Sequence, residues 1–161
     1  MNAEIRAEAL FRRGVCLFEQ GLFDTARVLL AESVRLRRDR AEPLLFLALA
    51  ESKNPHFLKQ AERHFLEAIE LEPWNPDFRL ALGRMYKREG LPIRAERLFR
   101  KAALLDPHHR TCAAELEALR VRSSLKSFWR GLKDRLQDSL RSQSLRFFRR
   151  PGGKNHPRRE R

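Results

Sequence analysis

The chain has 161 residues, of which 42% are hydrophobic and 34% charged, and its formal net charge at pH 7 is +13. This length suits one domain with its own core. The sequence contains no run of about 18 apolar residues and does not start with a basic segment followed by an apolar one, so we expect neither a membrane span nor a secretory signal. Its seven Gly and eight Pro fall mostly between periodic segments, which favours an all-α protein.

Apolar periodicity predicts two helix pairs in the first half of the chain. The first pair covers residues 3–20 and about 24–37. The second pair begins near Pro43 and turns at Asn54-Pro55, a dipeptide that is typical of turns. In the first pair Gly14 shares a face with Leu10 and Leu17, and Gly21 ends the first helix. In the second pair the second helix carries Ala61, Phe65 and Ala68 on its inner face.

The clearest pair lies between residues 76 and 107. Its defining positions are Leu82, Gly83 and Tyr86 in the first helix, a break at residues 90–92, then Ala95, Phe99 and Ala102 in the second helix and a closing Pro107. Small residues let two helices cross closely, because a large side chain would force them apart. The small position of the second helix recurs at Ala26, Ala61 and Ala95, which are spaced by 35 and then 34 residues.

These positions resemble the signature of the tetratricopeptide repeat, a helix pair of about 34 residues. The resemblance implies a right-handed α-solenoid of three antiparallel helix pairs, at about 7–40, 42–75 and 76–109. Each pair needs its neighbours to bury its apolar face, and about three pairs suffice for stability. In the second repeat we align Ala50 with Gly83, and this alignment predicts a turn that is one residue shorter than in the third repeat.

The segment after Pro107 predicts a capping helix at residues 109–122, with Ala113 and Leu116 packed on the third repeat. Glu117 occupies the position of Gly83 and Arg120 that of Tyr86. Both residues argue against a fourth complete repeat, so we expect the solenoid to cover residues 1–122.

In tetratricopeptide repeat proteins the first helices of the repeats line a concave groove that binds a peptide or helix of a partner. Projected onto this chain, the groove would be lined by Phe11, Val15, Phe18, Glu19, Leu44, Leu47, Glu51, Asp77, Leu80, Arg84, Lys87 and Arg88. It would be apolar at one end and basic at the other, and would suit a partner with apolar anchors followed by acidic residues. The alternative is that Phe11, Leu44 and Leu47 complete the packing. Phe11 and Val15 also argue against a clamp for a chaperone's terminal carboxylate.

Beyond Ser123-Ser124 the apolar stripe changes phase, which predicts a separate basic amphipathic helix at about 124–147. Residues 123–161 carry 12 Lys and Arg against 3 Asp and Glu. The residues that we predict to contact a membrane or a partner helix, all within 123–150, are Phe128, Trp129, Leu132, Leu136, Phe147, Phe148, Arg149 and Arg150. This helix could pack on the solenoid, bind an anionic membrane or a partner helix, or act with the basic tail on nucleic acid. We expect the tail, 151–161, to be disordered.

We find no pattern of catalytic, metal-binding or cofactor-binding residues in the sequence. We interpret His108-His109 as exposed turn residues. Cys16 and Cys112 lie far apart and form no metal-ligand or redox motif, which favours buried thiols in a reducing compartment. We therefore expect a non-enzymatic cytoplasmic adaptor or scaffold, without cofactor or metal. The alternatives are a peripheral tether at the inner membrane surface and a secretion-type chaperone for an extended client segment, although the basic Phe/Trp helix is foreign to such chaperones.

Overall fold

The computed structural model describes the backbone of residues 3–148 and the side chains of residues 3–137. The helices are α1 (Ala3–Glu19), α2 (Phe23–Leu36), α3 (Ala41–Glu51), α4 (Leu58–Leu71), α5 (Pro76–Arg88), α6 (Pro92–Leu105) and α7 (Arg110–Phe148). A 3-10 turn, Pro55–Phe57, precedes α4. Residues 3–148 contain no strand, so the prediction of an all-α fold is confirmed.

The chain divides into two compact units, Met1–Leu119 and Arg120–Arg161. The first unit contains three helix pairs, α1 with α2, α3 with α4, and α5 with α6, and the first part of α7. The sequence placed the end of the solenoid at residue 122, close to this boundary. The predicted tail at 151–161 lies outside the described residues.

Two of the three pairs turn at a glycine. Gly21 and Gly90 have φ values of +79° and +75°, a left-handed conformation that favours glycine. Each turn is closed by a hydrogen bond from the next amide to the preceding helix, Leu22 N to Leu17 O and Leu91 N to Tyr86 O, both 2.9 Å. Such closure satisfies carbonyls that the helix end would otherwise leave without partners.

The predicted small positions lie where paired helices cross. A Cβ built on Gly83 would lie 2.7 Å from Cδ1 of Phe99, and one on Gly14 would lie 2.7 Å from Cγ of Leu30. The alanines and phenylalanines predicted for the second helices are fully buried, namely Ala61, Phe65, Ala68, Ala95, Phe99 and Ala102. The fold therefore depends on close crossings that leave no room for a side chain on the glycines.

The predicted register of α3 is wrong by two residues. Ala48 is the eighth residue of α3, as Gly83 is the eighth of α5. Ala48 packs in one core cluster with Ala61 and Phe65, whereas Ala50 belongs to a different cluster. Almost every residue of α3 is apolar, so its sequence contains more than one stripe that fits the pattern. With Ala48 aligned to Gly83, the spacing to Ala61 is 13 residues, one more than the 12 from Gly83 to Ala95, where the sequence predicted one fewer. The 3-10 turn lies within this longer spacing.

The cap and the basic segment form one continuous helix, α7, where the sequence predicted two. Ser123 does not interrupt it, because serine hydroxyls return to the backbone within the helix: Ser123 Oγ donates to Arg120 O and Ser127 Oγ to Ser124 O, both at 2.8 Å. In the cap, Cys112, Leu116 and Leu119 pack on the core. Ala113, which we expected to pack there, is exposed.

Tyr86 is the only tyrosine of the chain and provides a spectroscopic test of the α4–α5 contact. Its ring is buried and its hydroxyl donates to Glu62. Burial, together with this carboxylate, raises the pKa of Tyr86 to about 12. The neutral phenol is thus favoured in the folded state, so its contribution to stability is complete below pH ~10 and is lost as the pH rises towards 12.

Absorbance titration of the phenol in the native protein should give a midpoint near 12. The urea-unfolded chain should titrate near pH 10, the ordinary value for tyrosine. Glu62→Gln should lower the native midpoint because it removes the negative charge beside the hydroxyl. A native midpoint near 10 would contradict the buried contact.

Candidate binding groove

A cleft of about 420 Å³ lies between α3 and α5, the first helices of two successive pairs. One wall consists of Leu45 and Leu49 of α3 with Ser52 and Lys53 just beyond its end, and the other of the α5 residues Asp77, Leu80, Ala81, Arg84, Met85 and Arg88. The lining thus combines apolar side chains with three exposed cations, Lys53, Arg84 and Arg88. A helix N-cap fixes the start of α5, since the Asn75 side chain accepts a hydrogen bond from the Asp77 amide at 3.0 Å.

The α3 residues that the sequence predicted for this groove lie in the core. Leu44 and Leu47 have 0% and 2% exposed surface. Glu51 is also buried, and its carboxylate lies 2.8 Å from Nδ1 of His64. The reason is the two-residue difference in register, which turns Leu45 and Leu49 towards the cleft instead. Leu80, by contrast, lines the cleft as predicted and is also largely buried.

The residues predicted on α1 form an aromatic cluster with the next pair. Phe11 is buried and meets Phe46 edge to face, with ring centroids 5.7 Å apart. Phe18 is half-buried and lies 5.9 Å from Phe46 and 5.3 Å from Phe23. Val15 is half-buried beside them. Phe11 therefore completes the helix packing, which was the alternative that the sequence left open.

The basic residues predicted on α5 meet a carboxylate from the cap. Arg84 Nε lies 2.8 Å from Glu115 Oε1, and Lys87 Nζ lies 2.7 Å from Glu115 Oε2. The Glu115 side chain is only 15% exposed. Burial alone would raise the pKa of Glu115, but the hydrogen bonds from Lys87 and Arg84 outweigh it and the pKa is lowered. The sequence did not predict this role of Glu115, because the only contacts expected of the capping helix were apolar ones with the third repeat.

Two further contacts hold α5 in place. His109 Nε2 lies 3.1 Å from Asp77 Oδ1, and Arg88 donates to the carbonyl of Ser52. The exposed Lys53 lies over the ring of Phe23, 5.2 Å from its centroid. Within the described residues, no group of three or more His, Cys, Asp or Glu could hold a metal ion.

Replacing Glu115 with glutamine should lower the free energy of unfolding at pH 7 by about 1 kcal/mol, since solvent screens the half-exposed Arg84. A carboxylate with a lowered pKa stabilises the fold above pH ~4.5, and this contribution is lost as the pH falls through the native pKa. The difference from wild type should therefore shrink in urea titrations as the pH falls below ~4.5.

Glu117→Gln is the matched control, because Glu117 is exposed on the same helix. It should leave the stability at pH 7 nearly unchanged. A Glu115→Gln deficit that stays constant down to low pH would contradict the ionic role of Glu115.

The second unit presents apolar side chains on α7. Phe128 and Trp129 are 56% and 62% exposed, and their rings lie edge to face at 5.7 Å. Leu125 and Leu136 are also exposed, while Leu132 is half-buried. The side chains of Phe147 and Phe148, together with Arg149 and Arg150, lie outside the described residues. No helix within residues 3–148 is long and apolar enough to cross a membrane.

Stacked helix pairs with glycine or alanine at each crossing, and a cleft between successive first helices, define the tetratricopeptide repeat fold, and the chain has this fold. No protein-family model and no curated protein sequence matches the chain.

Solved structures with a similar fold include two tetratricopeptide repeat domains and a secretion chaperone. The domain of Arabidopsis OM64 matches with a TM-score of 0.69 and 20% identity, over 75% of this chain and 99% of that one. The first such domain of Spaghetti (RPAP3), bound to the HSP90 peptide SRMEEVD, matches with a TM-score of 0.67 and 16% identity, over 75% of this chain and 95% of that one. The third structure is the Yersinia enterocolitica type III secretion chaperone SycD in complex with a peptide of the translocator YopD. It matches with a TM-score of 0.64 and 15% identity, over 72% of this chain and 93% of that one.

Proposed function

We propose that the protein is a non-enzymatic adaptor that binds a peptide or helix of a partner protein in the cleft between α3 and α5. The observation that carries the proposal is the cleft itself, whose lining includes Leu45, Leu49 and Ala81. These side chains belong to packed helices, so the surface is formed before a ligand arrives and little ordering of the protein opposes binding.

The lining indicates the chemistry of the ligand. Apolar anchors would contact Leu45 and Leu49, and acidic groups would approach Lys53 and Arg88. Arg84 is partly neutralised by Glu115, so it contributes less positive charge than its position suggests. We therefore propose a partner segment with two or more apolar side chains and a few acidic ones.

Similar folds support a peptide ligand. The solved structures of RPAP3 and SycD each contain a bound peptide, from HSP90 and YopD respectively. For this chain we also propose a peptide ligand, and we do not assign that peptide to HSP90 or YopD. The likeness to SycD also keeps a second possibility, in which the chain is a chaperone that holds an extended client segment.

Site-specific photo-crosslinking tests the proposal. A photoreactive amino acid at Lys53 would stand at the cleft, and the same residue at Lys59, exposed on α4, would stand away from its lining. We expect Lys53 alone to capture a defined partner, with the crosslink in a segment that combines apolar and acidic residues. Equal capture of the same protein from both positions would contradict a groove-specific ligand.

A third candidate function is a peripheral membrane tether, which the exposed Phe128 and Trp129 favour. In this role residues 120–137 would bind a surface while the cleft binds the partner. Nucleic acid would use only the basic residues of the same helix and of the tail. We also propose a cytoplasmic location, supported by the two free cysteines, Cys16 and Cys112.

A further inference from the structure

The face of α7 at residues 120–137 combines two stripes of different chemistry. The apolar stripe consists of Val121, Leu125, Phe128, Leu132 and Leu136, in steps of three and four residues, and of Trp129, which lies four residues after Leu125 and three before Leu132. This spacing keeps all six on one side of the helix. Beside it, at the same spacing, lie Arg122, Lys126, Arg130 and Lys133. This segment holds six basic residues against one acidic residue, Asp134.

We propose that this face lies in the plane of an anionic lipid bilayer surface, an inference that rests on the tether role above. Phe128 and Trp129 are more than half exposed although they are the largest apolar side chains of the segment. In the interface their rings would enter the boundary between headgroups and acyl chains, where tryptophan is favoured. The neighbouring cations would then contact negatively charged headgroups.

A second copy of the chain fits this face less well. The stripe formed by Val121, Leu125, Phe128 and Leu132 would need another apolar residue at position 135 to continue as a coiled-coil seam, and that residue is Arg135. Pairing two such helices would also bring six cations of each near those of the other. Nucleic acid would contact the basic stripe and leave the aromatic side chains in water.

Trp129 can report directly on this contact, because the chain has only one other tryptophan, the exposed Trp74. The test uses the full chain with Trp74→Phe and vesicles of phosphatidylcholine containing about 30% phosphatidylserine. We expect the Trp129 emission to shift to the blue when these vesicles are added. Vesicles of phosphatidylcholine alone should bind at least roughly tenfold more weakly, since the cations gain nothing from them.

Two charge-neutral variants separate the apolar stripe from the rest of the helix. Phe128→Gln with Leu132→Gln removes apolar surface but keeps the reporter, and should weaken vesicle binding by at least roughly tenfold. Ser123→Gln with Ser127→Gln changes the opposite side and should bind like the parent. Glutamine is a good helix former, so circular dichroism should show the same helix content in both variants.

The results distinguish the two levels of the inference. A blue shift of equal size with neutral and anionic vesicles would overturn the anionic preference and leave the tether. No shift with either vesicle, or equal binding by the two double variants, would overturn the membrane contact altogether. The membrane contact would also be overturned if the Trp129 emission shifted without lipid in a sample that sedimentation velocity shows to be self-associated. A blue shift on addition of RNA alone would overturn it as well.

Discussion

Replacing Gly83 with leucine should lower the free energy of unfolding by about 3 kcal/mol, the upper part of the range for overpacked cores. Even a Cβ at this position would lie 2.7 Å from Cδ1 of Phe99. Phe99 cannot move aside, because it is fully buried between Ala95 and Ala102 of the same helix. Helices α5 and α6 would have to separate, and in a chain of this size each kcal/mol corresponds to about 2–4 °C in the thermal midpoint.

Gly131→Ala is the control for this substitution. Nothing lies within 4 Å of a Cβ built on Gly131, and its position is helical. Alanine should be neutral or slightly stabilising there, because it favours the helix over glycine by up to about 1 kcal/mol. Thermal unfolding followed by circular dichroism measures both variants. A Gly83→Leu protein within about 0.5 kcal/mol of wild type would contradict the close crossing of α5 and α6.

Leu44→Ala should destabilise the fold by about 3 kcal/mol, whereas Leu45→Ala should cost about 1 kcal/mol. Leu44 is fully buried, and its removal leaves a cavity in the cluster that joins the first two pairs. Leu45 is half-buried at the cleft, so water can occupy the space that its side chain leaves. The pair of substitutions therefore measures which face of α3 is turned inwards.

Urea unfolding of the two variants decides between the registers. In the register expected from the sequence, with Leu44 in the groove, Leu45→Ala would be the costlier change. Equal losses would mean that neither leucine is preferentially buried. The structure predicts the order Leu44→Ala, then Leu45→Ala, then wild type, from least to most stable.

The sequence was sufficient for the parts of the fold that small residues specify. Gly83 and Gly14 marked the crossings because only glycine fits them, and Gly21 and Gly90 marked the turns because their φ values are positive. These constraints act on single residues and leave a pattern with a fixed period. The repeat count and the helix pairs followed from that pattern alone.

The groove was predicted less well, for two physical reasons. Helix α3 is apolar on nearly all sides, so periodicity could not tell Leu45 and Leu49 from Leu44 and Leu47. The ion pairs at the basic end depend on Glu115, about 30 residues beyond Arg84 and Lys87, and no local pattern connects residues so far apart. Only the structure therefore shows which face of α3 is buried and which residues pair with Glu115.

The single break predicted at Ser123 was also wrong for a local reason. A change of apolar phase alters which face of a helix is apolar without ending the helix. Ending it needs glycine, proline or a competing cap, and Ser123 instead donates its hydroxyl to the carbonyl of Arg120. The apolar stripe on α7 thus belongs to a helix that continues from the cap.

The most direct test of the binding groove fills it with a side chain. Ala81 lines the cleft and is half-buried, whereas Ala113 is exposed on α7 and lies outside the cleft lining. The ligand is the partner segment captured through Lys53, prepared as a synthetic peptide, and its affinity is measured by titration calorimetry. Ala81→Trp should weaken binding by at least roughly tenfold because the indole occupies the space of an apolar anchor. Ala113→Trp should bind like wild type, and an Ala81→Trp protein with unchanged affinity would contradict the placement of the ligand between α3 and α5.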